Sequence, residues 1–208
     1  MFRRLSSSLV QVTLEDAREG KPSHKVLTIR TGEAFPPTHP TSRLCLELLR
    51  EALGAGPAGS LLDVGCGGGV LSLAAAALGV DLVVAVDLAL AAIRETRENA
   101  RENAVAGCVE VVQGSTGCIK ARFELVVANL PFEVQIDVAP ELDRLAAPPG
   151  SLILSGFRDH QEGLLRETYL KLGWSLARRV VKDFRHPELP PELSFTWVAW
   201  ALNRSLPA

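Results

Sequence analysis

Four glycines at the end of an apolar strand are the residues whose spacing first points to chemistry. Residues 60–73 read SLLDVGCGGGVLSL, so a strand breaks into glycines and continues as a helix. Glycines lack a Cβ, which lets the turn adopt positive φ and lie against a ligand, and the helix that follows offers unpaired N–H groups. A second apolar strand ends on Asp87, about 20 residues later, where a ribose-binding acid is expected. The pattern predicts a site for a nucleotide-like ligand.

Two details of the turn indicate which kind of nucleotide it binds. A dinucleotide-binding turn has Gly or Ala where this chain has Val70, and it rarely has an acid at the position of Asp63. The run D-V-G-C-G-G-G instead resembles the first motif of class I S-adenosylmethionine (SAM) methyltransferases, in which the glycine turn contacts the methionine half and the sugar of the cofactor. In the alternative interpretation, Asp63 caps the turn into the helix and Asp87 only ends a strand.

The group Asn129-Leu130-Pro131-Phe132 follows another apolar strand and resembles the fourth motif of methyltransferases that modify planar or amine nitrogens. Methyl transfer from a sulfonium is an in-line displacement, so the protein must align the acceptor nitrogen and exclude water. The Asn129 amide oxygen and the Leu130 carbonyl can accept hydrogen bonds from that nitrogen. Pro131 keeps Leu130 extended, and Phe132 can stack on a flat acceptor. The alternative is an ordinary turn after a strand.

Alternating strand and helix patterns must position these groups. The sequence predicts strands at residues 61–64, 82–87, 109–112, 124–129, 151–155, 174–184 and 195–202. It predicts helices at residues 43–53, 70–78, 90–103, 134–145 and 158–172. We therefore expect an α/β fold: a class I methyltransferase (Rossmann-like) sheet of seven strands, mostly parallel, with helices on both faces and a C-terminal β-hairpin. The carboxyl ends of its strands would bring the groups into one crevice.

The segment before this fold has its own pattern. Alternating residues between positions 9 and 29 predict a small β-hairpin. We accordingly divide the chain into an N-terminal extension, 1–35, and a SAM-dependent methyltransferase domain, 36–208.

Several side chains outside the motifs have two interpretations. His39 could be a general base, although a histidine packed in a loop is commoner. Trp197 and Trp200 take opposite faces of the last strand, which predicts one at the rim and one in the core. The charged helix 90–103 is interpreted as a solvent-exposed face with ion pairs. A proline-broken loop is predicted at residues 186–193.

Composition limits the class of protein. The 208 residues, 47% apolar and 22% charged, are typical of one ordered globular domain. The net charge of −2 favours a small or proteinaceous acceptor over a long phosphate backbone. The four cysteines lack C-x-x-C spacing and the histidines are scattered, so we expect no metal site and interpret the cysteines as small buried residues. No apolar run is long enough for a membrane span or a signal peptide, which predicts a cytoplasmic location.

Longer stretches resemble one family in particular. T-H-P-T-S-R-L-C-L-E-L-L, L-L-D-V-G-C-G-G-G, E-T-R-E-N-A-R-E-N and V-V-A-N resemble the methyltransferases that modify lysines and the α-amine of large-subunit ribosomal protein eleven. The likeness covers residues 35–155. Glu33-Ala34-Phe35-Pro36-Pro37 replaces the glycine-rich segment that precedes T-H-P in the family. The family also has an N-terminal recruitment domain, whereas we expect only the small hairpin before the core here.

The resemblance implies a set of site residues. In the family the matching threonines help to close the cofactor site and the matching asparagine lies at the acceptor. The implied SAM-binding residues are Thr38, Thr41, Asp63, Gly65, Cys66, Gly67, Asp87, Leu88, Gly114, Ser115 and Asn129. The implied catalytic residues are Asn129, Leu130, Pro131 and Phe132.

These observations predict a SAM-dependent N-methyltransferase that acts on a protein amine, either a lysine or an α-amine, with a ribosomal protein as the candidate substrate. Methylation of an adenine or guanine amine of nucleic acid, or of a glutamine amide, is an alternative that Leu130-Pro131-Phe132 favours and the net charge opposes. A small-molecule acceptor is also open. A further alternative is a SAM-binding or scaffold domain without activity, which the altered segment 35–37 suggests.

Overall fold

Apolar stretches alternate with amphipathic segments along the chain, and they become the strands and helices of the structure. The computed structural model describes residues 1–16, 23–184 and 194–204. Its strands are β1 (Phe2–Ser6), β2 (Leu9–Asp16), β3 (Ser23–Arg30), β4 (Ser60–Val64), β5 (Leu82–Asp87), β6 (Val109–Gln113), β7 (Phe123–Asn129), β8 (Ala146–Arg158), β9 (Trp174–Phe184) and β10 (Phe195–Arg204). Its α-helices are α1 (Pro40–Ala55), α2 (Val70–Ala77), α3 (Leu90–Glu102), α4 (Phe132–Leu145) and α5 (Glu162–Lys171).

The central sheet has the strand order β6-β5-β4-β7-β8-β10-β9. β4 pairs in parallel with β5 on one side and with β7 on the other. β10 runs antiparallel to both of its neighbours, β8 and β9. These pairings confirm the predicted seven-stranded, mostly parallel sheet with a C-terminal hairpin. The strand order reverses beside β4, and at such a point the carboxyl ends of neighbouring strands open a crevice.

Helices cover both faces of this sheet. On one face, α1 and α2 pack on a cluster of apolar side chains that includes Leu61 and Val83. On the other face, α4 and α5 pack on a second cluster that includes Leu62 and Val126. The neighbours Leu61 and Leu62 therefore point to opposite faces and are both fully buried, as expected for a parallel sheet covered on both sides.

The N-terminal strands form a second, antiparallel sheet, β1-β2-β3. β2 pairs with β3, with Val10 opposite Ile29, and β1 adds a strand that the sequence did not predict. Val10, Val12 and Leu14 are buried in the same cluster as residues of α1 and α2, so the small sheet forms an outer layer over those helices. The division of the chain at residue 35 stays a prediction.

Some element boundaries differ from the predicted ones because strand pairing continues beyond the apolar stretch. β8 extends to Arg158 rather than ending at residue 155, since β10 pairs with it as far as Trp197 opposite Arg158. α5 consequently begins at Glu162. The predicted loop at 186–193 lies outside the described residues.

One side of α3 is not the solvent-exposed, ion-paired face that the sequence predicted. Asn99 is fully buried, and Glu95, Asn99 and Asn103 form hydrogen bonds to β3 and the loop after it. The prediction is wrong on this side because the free edge of β3 requires hydrogen-bond partners, and side chains of α3 provide them.

Two expectations from composition can be compared with the structure. Cys45 and Cys66 are buried, as expected, whereas Cys118 is exposed and donates its S–H to the Ser115 carbonyl. Among the described helices, none is both long and apolar enough to cross a bilayer.

Candidate active site

A cavity of about 680 Å³ opens at the carboxyl ends of β4, β5, β6 and β7. It brings together most of the residues that the sequence assigned to the site. The predicted residues that line it are Thr41, Gly65, Gly67, Asp87, Leu88, Gly114, Ser115, Asn129, Leu130 and Pro131. The motifs therefore converge although they are spread over about 90 residues of sequence, as the crevice rule for α/β sheets requires.

The glycine turn between β4 and α2 forms part of the cavity wall. Gly65 and Gly67 have φ values of 72° and 54°, in the left-handed region that glycine adopts without strain. The N–H of Gly65 donates to the Val86 carbonyl at 2.8 Å, which joins the turn to the end of β5. A Cβ at Gly65 would overlap the side chain of Leu130, so glycine allows the turn to lie close to the segment 129–132, which we call the acceptor motif after its predicted role.

Asp87 ends β5 with its carboxylate at the cavity wall. Its Oδ2 accepts a hydrogen bond from the Gly67 N–H at 3.0 Å, and its Oδ1 accepts one from the Ala89 N–H at 2.9 Å. Each carboxylate oxygen has a further lone pair. Two backbone donors thus hold the carboxylate in an orientation from which it can accept the hydroxyl hydrogens of a ribose.

The charged side chains that line the cavity favour some classes of ligand over others. Glu33 and Asp87 line it, and its described lining contains no Lys or Arg. A ligand with phosphate groups would bring negative charge beside these carboxylates without a compensating cation. The lining favours a ligand that combines a ribose with positive charge.

Four predicted residues lie outside the wall of this cavity. Thr38 is engaged through its carbonyl, which accepts a hydrogen bond from Arg43 Nε at 3.2 Å. Cys66 lines a smaller adjoining cavity of about 40 Å³. Phe132 is partly buried and packs on the second apolar cluster, and its stacking on an acceptor stays a prediction. The fourth residue is Asp63.

Asp63 is buried, with 1% of its surface exposed. Its Oδ2 accepts hydrogen bonds from the N–H and the hydroxyl of Ser72, at 3.1 and 2.6 Å. Burial raises the pKa of the carboxyl to about 6, against the opposing effect of the Ser72 hydrogen bonds. The carboxylate fixes the first turn of α2, which agrees with the alternative interpretation. A direct contact between Asp63 and the cofactor stays a prediction.

We expect Asp63 to make the free energy of unfolding fall as the pH rises from about 4 to 7. A carboxyl whose pKa rises on folding, from 3.8 to about 6, contributes stability that is complete below pH 3.8 and is lost as the pH rises through 6. A shift of about two units corresponds to roughly 3 kcal/mol. Urea unfolding of the wild type and of Asp63→Asn at both pH values measures this contribution. An equal difference between the two proteins at pH 4 and pH 7 would contradict it.

Asn129, at the end of β7, has an unusual environment. Its Nδ2 donates to the Ser42 hydroxyl at a long 3.5 Å. Its Oδ1 is buried and has no hydrogen-bond partner among the described residues. Burying an amide oxygen without a partner costs free energy, and this oxygen belongs to a residue that lines the cavity.

Two residues that the sequence analysis missed hold the acceptor motif in place. The buried Gln135 donates its Nε2 to the carbonyls of Ala128 and Ser155, which joins the ends of β7 and β8. Gly156 has a φ of 100°, and a Cβ there would lie 2.6 Å from the carbonyl carbon of Leu130. A glycine directly after an apolar strand was a usable signal for the second residue, but a glutamine inside a helix gave no signal for the first.

Three ring side chains, those of Phe35, His39 and Trp197, line the cavity together with Asn129. The His39 ring lies 4.7 Å from the Phe35 ring and 5.1 Å from the Trp197 ring, between centroids. Its Nδ1 accepts a hydrogen bond from the Thr41 N–H at the start of α1, and burial lowers the pKa of the imidazole. These contacts fit the packed histidine of the alternative interpretation. Trp197 lines the cavity and Trp200 is 1% exposed, which confirms the predicted rim and core positions.

Comparisons with known proteins agree with this geometry. The model of the family described as "Ribosomal protein L11 methyltransferase (PrmA)" matches residues 4–183. A ribosomal protein L11 methyltransferase of Pelotomaculum thermopropionicum is 42% identical over 76% of this chain and 51% of its own length. The corresponding protein of Geobacter metallireducens is 38% identical over 76% and 51%. The chain thus spans about half the length of these curated relatives.

A solved structure gives the same result for the fold. The crystal structure of a ribosomal protein L11 methylase from Lactobacillus delbrueckii subsp. bulgaricus superposes with a TM-score of 0.71 and 25% identity, over 86% of this chain and 84% of that one. With the family model covering residues 4–183 and the cavity built from its motifs, the chain belongs to the ribosomal protein L11 methyltransferase family.

Proposed function

We propose that this protein is a SAM-dependent N-methyltransferase whose acceptor is an amine of a ribosomal protein of the L11 type. The observation that carries the proposal is the Oδ1 of Asn129, which is buried without a partner among the described residues and belongs to a residue that lines a cavity with acidic lining. A hydrogen-bond acceptor with nothing to accept is suited to an amine N–H. Such a substrate also implies a cytoplasmic location.

The residues of the cavity fit SAM. The Asp87 carboxylate would accept the ribose hydroxyls, the turn at Gly65 and Gly67 would lie against the methionine half, and Leu88 would cover the adenine. The acidic lining suits the sulfonium charge. When bound, this cofactor would supply an activated methyl group, whose carbon a nitrogen lone pair can attack while the bond to sulfur breaks and the neutral thioether leaves.

The acceptor side of the cavity then has three tasks. Asn129 Oδ1 accepts a hydrogen bond from the acceptor nitrogen and so turns its lone pair toward the methyl group. Phe35 and Trp197 present apolar surface that excludes water. A lysine ammonium, with an ordinary pKa near 10.4, must lose a proton before it can react, and transfer into this apolar wall favours the neutral amine.

A labelling experiment tests the acceptor class. Tritiated SAM is incubated with the protein and, separately, with L11, bulk RNA, DNA and a glutamine-containing peptide. We expect label in L11, on lysine or the α-amine. Label confined to nucleic acid or to the glutamine amide would refute the protein-amine assignment. SAM binding without label in any acceptor would support the scaffold interpretation instead.

A further inference from the structure

We propose that Glu95 of α3 is a positioning residue for the cofactor site, because its carboxylate fixes the loop that walls the cavity. This inference rests on the proposed function, since the cofactor in question is SAM. The loop concerned is the segment 32–35, which follows β3 and contributes Glu33, Ala34 and Phe35 to the cavity wall. It includes part of the segment in which this chain differs from its family.

Three backbone donors of the loop converge on the one side chain. Oε1 of Glu95 accepts hydrogen bonds from the N–H groups of Glu33 and Ala34, at 2.7 and 3.1 Å. Oε2 accepts one from the Gly32 N–H at 3.2 Å. A carboxylate provides about four lone-pair positions on two oxygens, so it can satisfy three donors at once. Hydrogen bonds to an ionised acceptor are also stronger than neutral ones.

The position of Gly32 is independent evidence that the Glu95 carboxylate lies very close to the backbone of the loop. A Cβ at this position would lie 2.5 Å from Oε1 of Glu95 and 3.0 Å from its carboxyl carbon. Any larger residue at position 32 must therefore push the carboxylate away from the loop. A substitution at either Gly32 or Glu95 can therefore break the contact between the loop and the carboxylate.

The same side of α3 continues the attachment one and two turns further along. Oδ1 of Asn99 accepts from the Arg30 N–H at 2.8 Å, and its Nδ2 donates to the Gly68 carbonyl at 2.9 Å. Asn103 accepts from the N–H of Thr28 and donates to its carbonyl, both at 2.8 Å. Residues spaced by four lie on one side of a helix. This row, Glu95, Asn99 and Asn103, pairs with the edge of β3 as a neighbouring strand would.

The row consequently holds two neighbouring parts of the cavity wall. Asn99 contacts the glycine turn through Gly68, while Glu95 holds the loop beside that turn, where a Cβ at Gly67 would lie 3.5 Å from the Cβ of Phe35. Without Glu95, the loop would lose three anchors and would have to become ordered when SAM binds. The free-energy cost of ordering the loop then weakens SAM binding and leaves kcat unchanged.

Calorimetry of SAM binding and steady-state kinetics test this role. We expect Glu95→Ala to weaken SAM binding by about tenfold, the cost of ordering roughly one residue of backbone during binding. Glu95→Gln should lose less affinity because its amide oxygen still accepts. Gly32→Ala should reproduce the loss, and kcat at saturating SAM should stay within about twofold in all three. Glu98→Ala removes the same charge from an exposed position of α3 and is the matched control.

Amide hydrogen exchange, measured without SAM, shows whether Glu95 orders the loop in the free protein. The amides of residues 32–34 should exchange faster in Glu95→Ala than in the wild type or Glu98→Ala. Unchanged exchange would overturn the proposal, as would faster exchange with unchanged SAM affinity, or a loss confined to kcat. A wild type that binds no SAM refutes the proposed function, while the exchange comparison still reports whether Glu95 holds the loop.

Discussion

Replacing Asn129 by alanine is expected to lower kcat by about 10² to 10³-fold, the usual cost of removing one oriented polar group from a reaction centre. SAM affinity should change little, because we propose that Asp87, held by the N–H groups of Gly67 and Ala89, and the glycine turn make the main polar contacts to the cofactor. The reason lies in Oδ1, a side-chain oxygen that is buried and without a partner among the described residues. Single-turnover kinetics at saturating SAM, with calorimetry of SAM binding, measures the two quantities separately.

Two companion variants identify which atom of Asn129 acts. Asn129→Asp keeps an oxygen that can accept a hydrogen bond, so it should retain more activity than the alanine variant. Ser42→Ala removes only the distant partner of Nδ2 and should leave kcat within about threefold, since a 3.5 Å hydrogen bond is weak. Equal loss in the alanine and aspartate variants, with a comparable loss in Ser42→Ala, would mean that Nδ2 and not Oδ1 is the functional atom.

The stability of Asn129→Ala gives a further check. Removing a buried acceptor that lacks a partner should leave the free energy of unfolding unchanged or slightly higher, because the wild type carries its desolvation cost. In this variant kcat then falls while the free energy of unfolding does not. Such behaviour is typical of a residue retained for a ligand and not for packing.

The fold was predictable because its signals are local. Apolar runs such as 61–64 and 82–87 end at glycines or acids, and helical segments alternate with them along the chain. The connections between consecutive parallel strands then leave few topologies open. The observed β4 and β5 lie within one residue of the predicted ranges.

The residues that line the cavity were predictable where they lie in the glycine turn or at a strand end, as Gly67, Asp87 and Asn129 do. The site was not predictable where the partner is distant in sequence. Glu95 is 61 residues from Ala34, and nothing in a charged helix marks which carboxylate meets a loop. At Asp63 the motif position predicts a ligand contact, and the structure shows its buried carboxylate hydrogen-bonded to Ser72, as in the alternative interpretation.

Gly156→Ala is expected to damage both stability and activity. Its φ of 100° lies in a region that residues with a Cβ rarely adopt, and the new methyl group would overlap the backbone of Leu130. Strain and overpacking together should cost about 3 kcal/mol of unfolding free energy. Displacing the Leu130 carbonyl by about 1 Å should also reduce kcat by roughly 10²-fold in the protein that remains folded.

Gly163→Ala is the matched control, because Gly163 lies in α5 and a Cβ added there would have no heavy atom of the described residues within 4 Å, beyond its own helix and chain neighbours. Alanine at this position gains up to about 1 kcal/mol of helix propensity. Urea unfolding and kcat measured at a temperature where both variants are folded separate the two effects.

Because Leu130 donates its N–H to the Ser155 carbonyl at 3.0 Å, β8 and the acceptor motif must move together. A Gly156→Ala protein with reduced stability but full kcat would show that the position of the Leu130 carbonyl does not matter for the reaction.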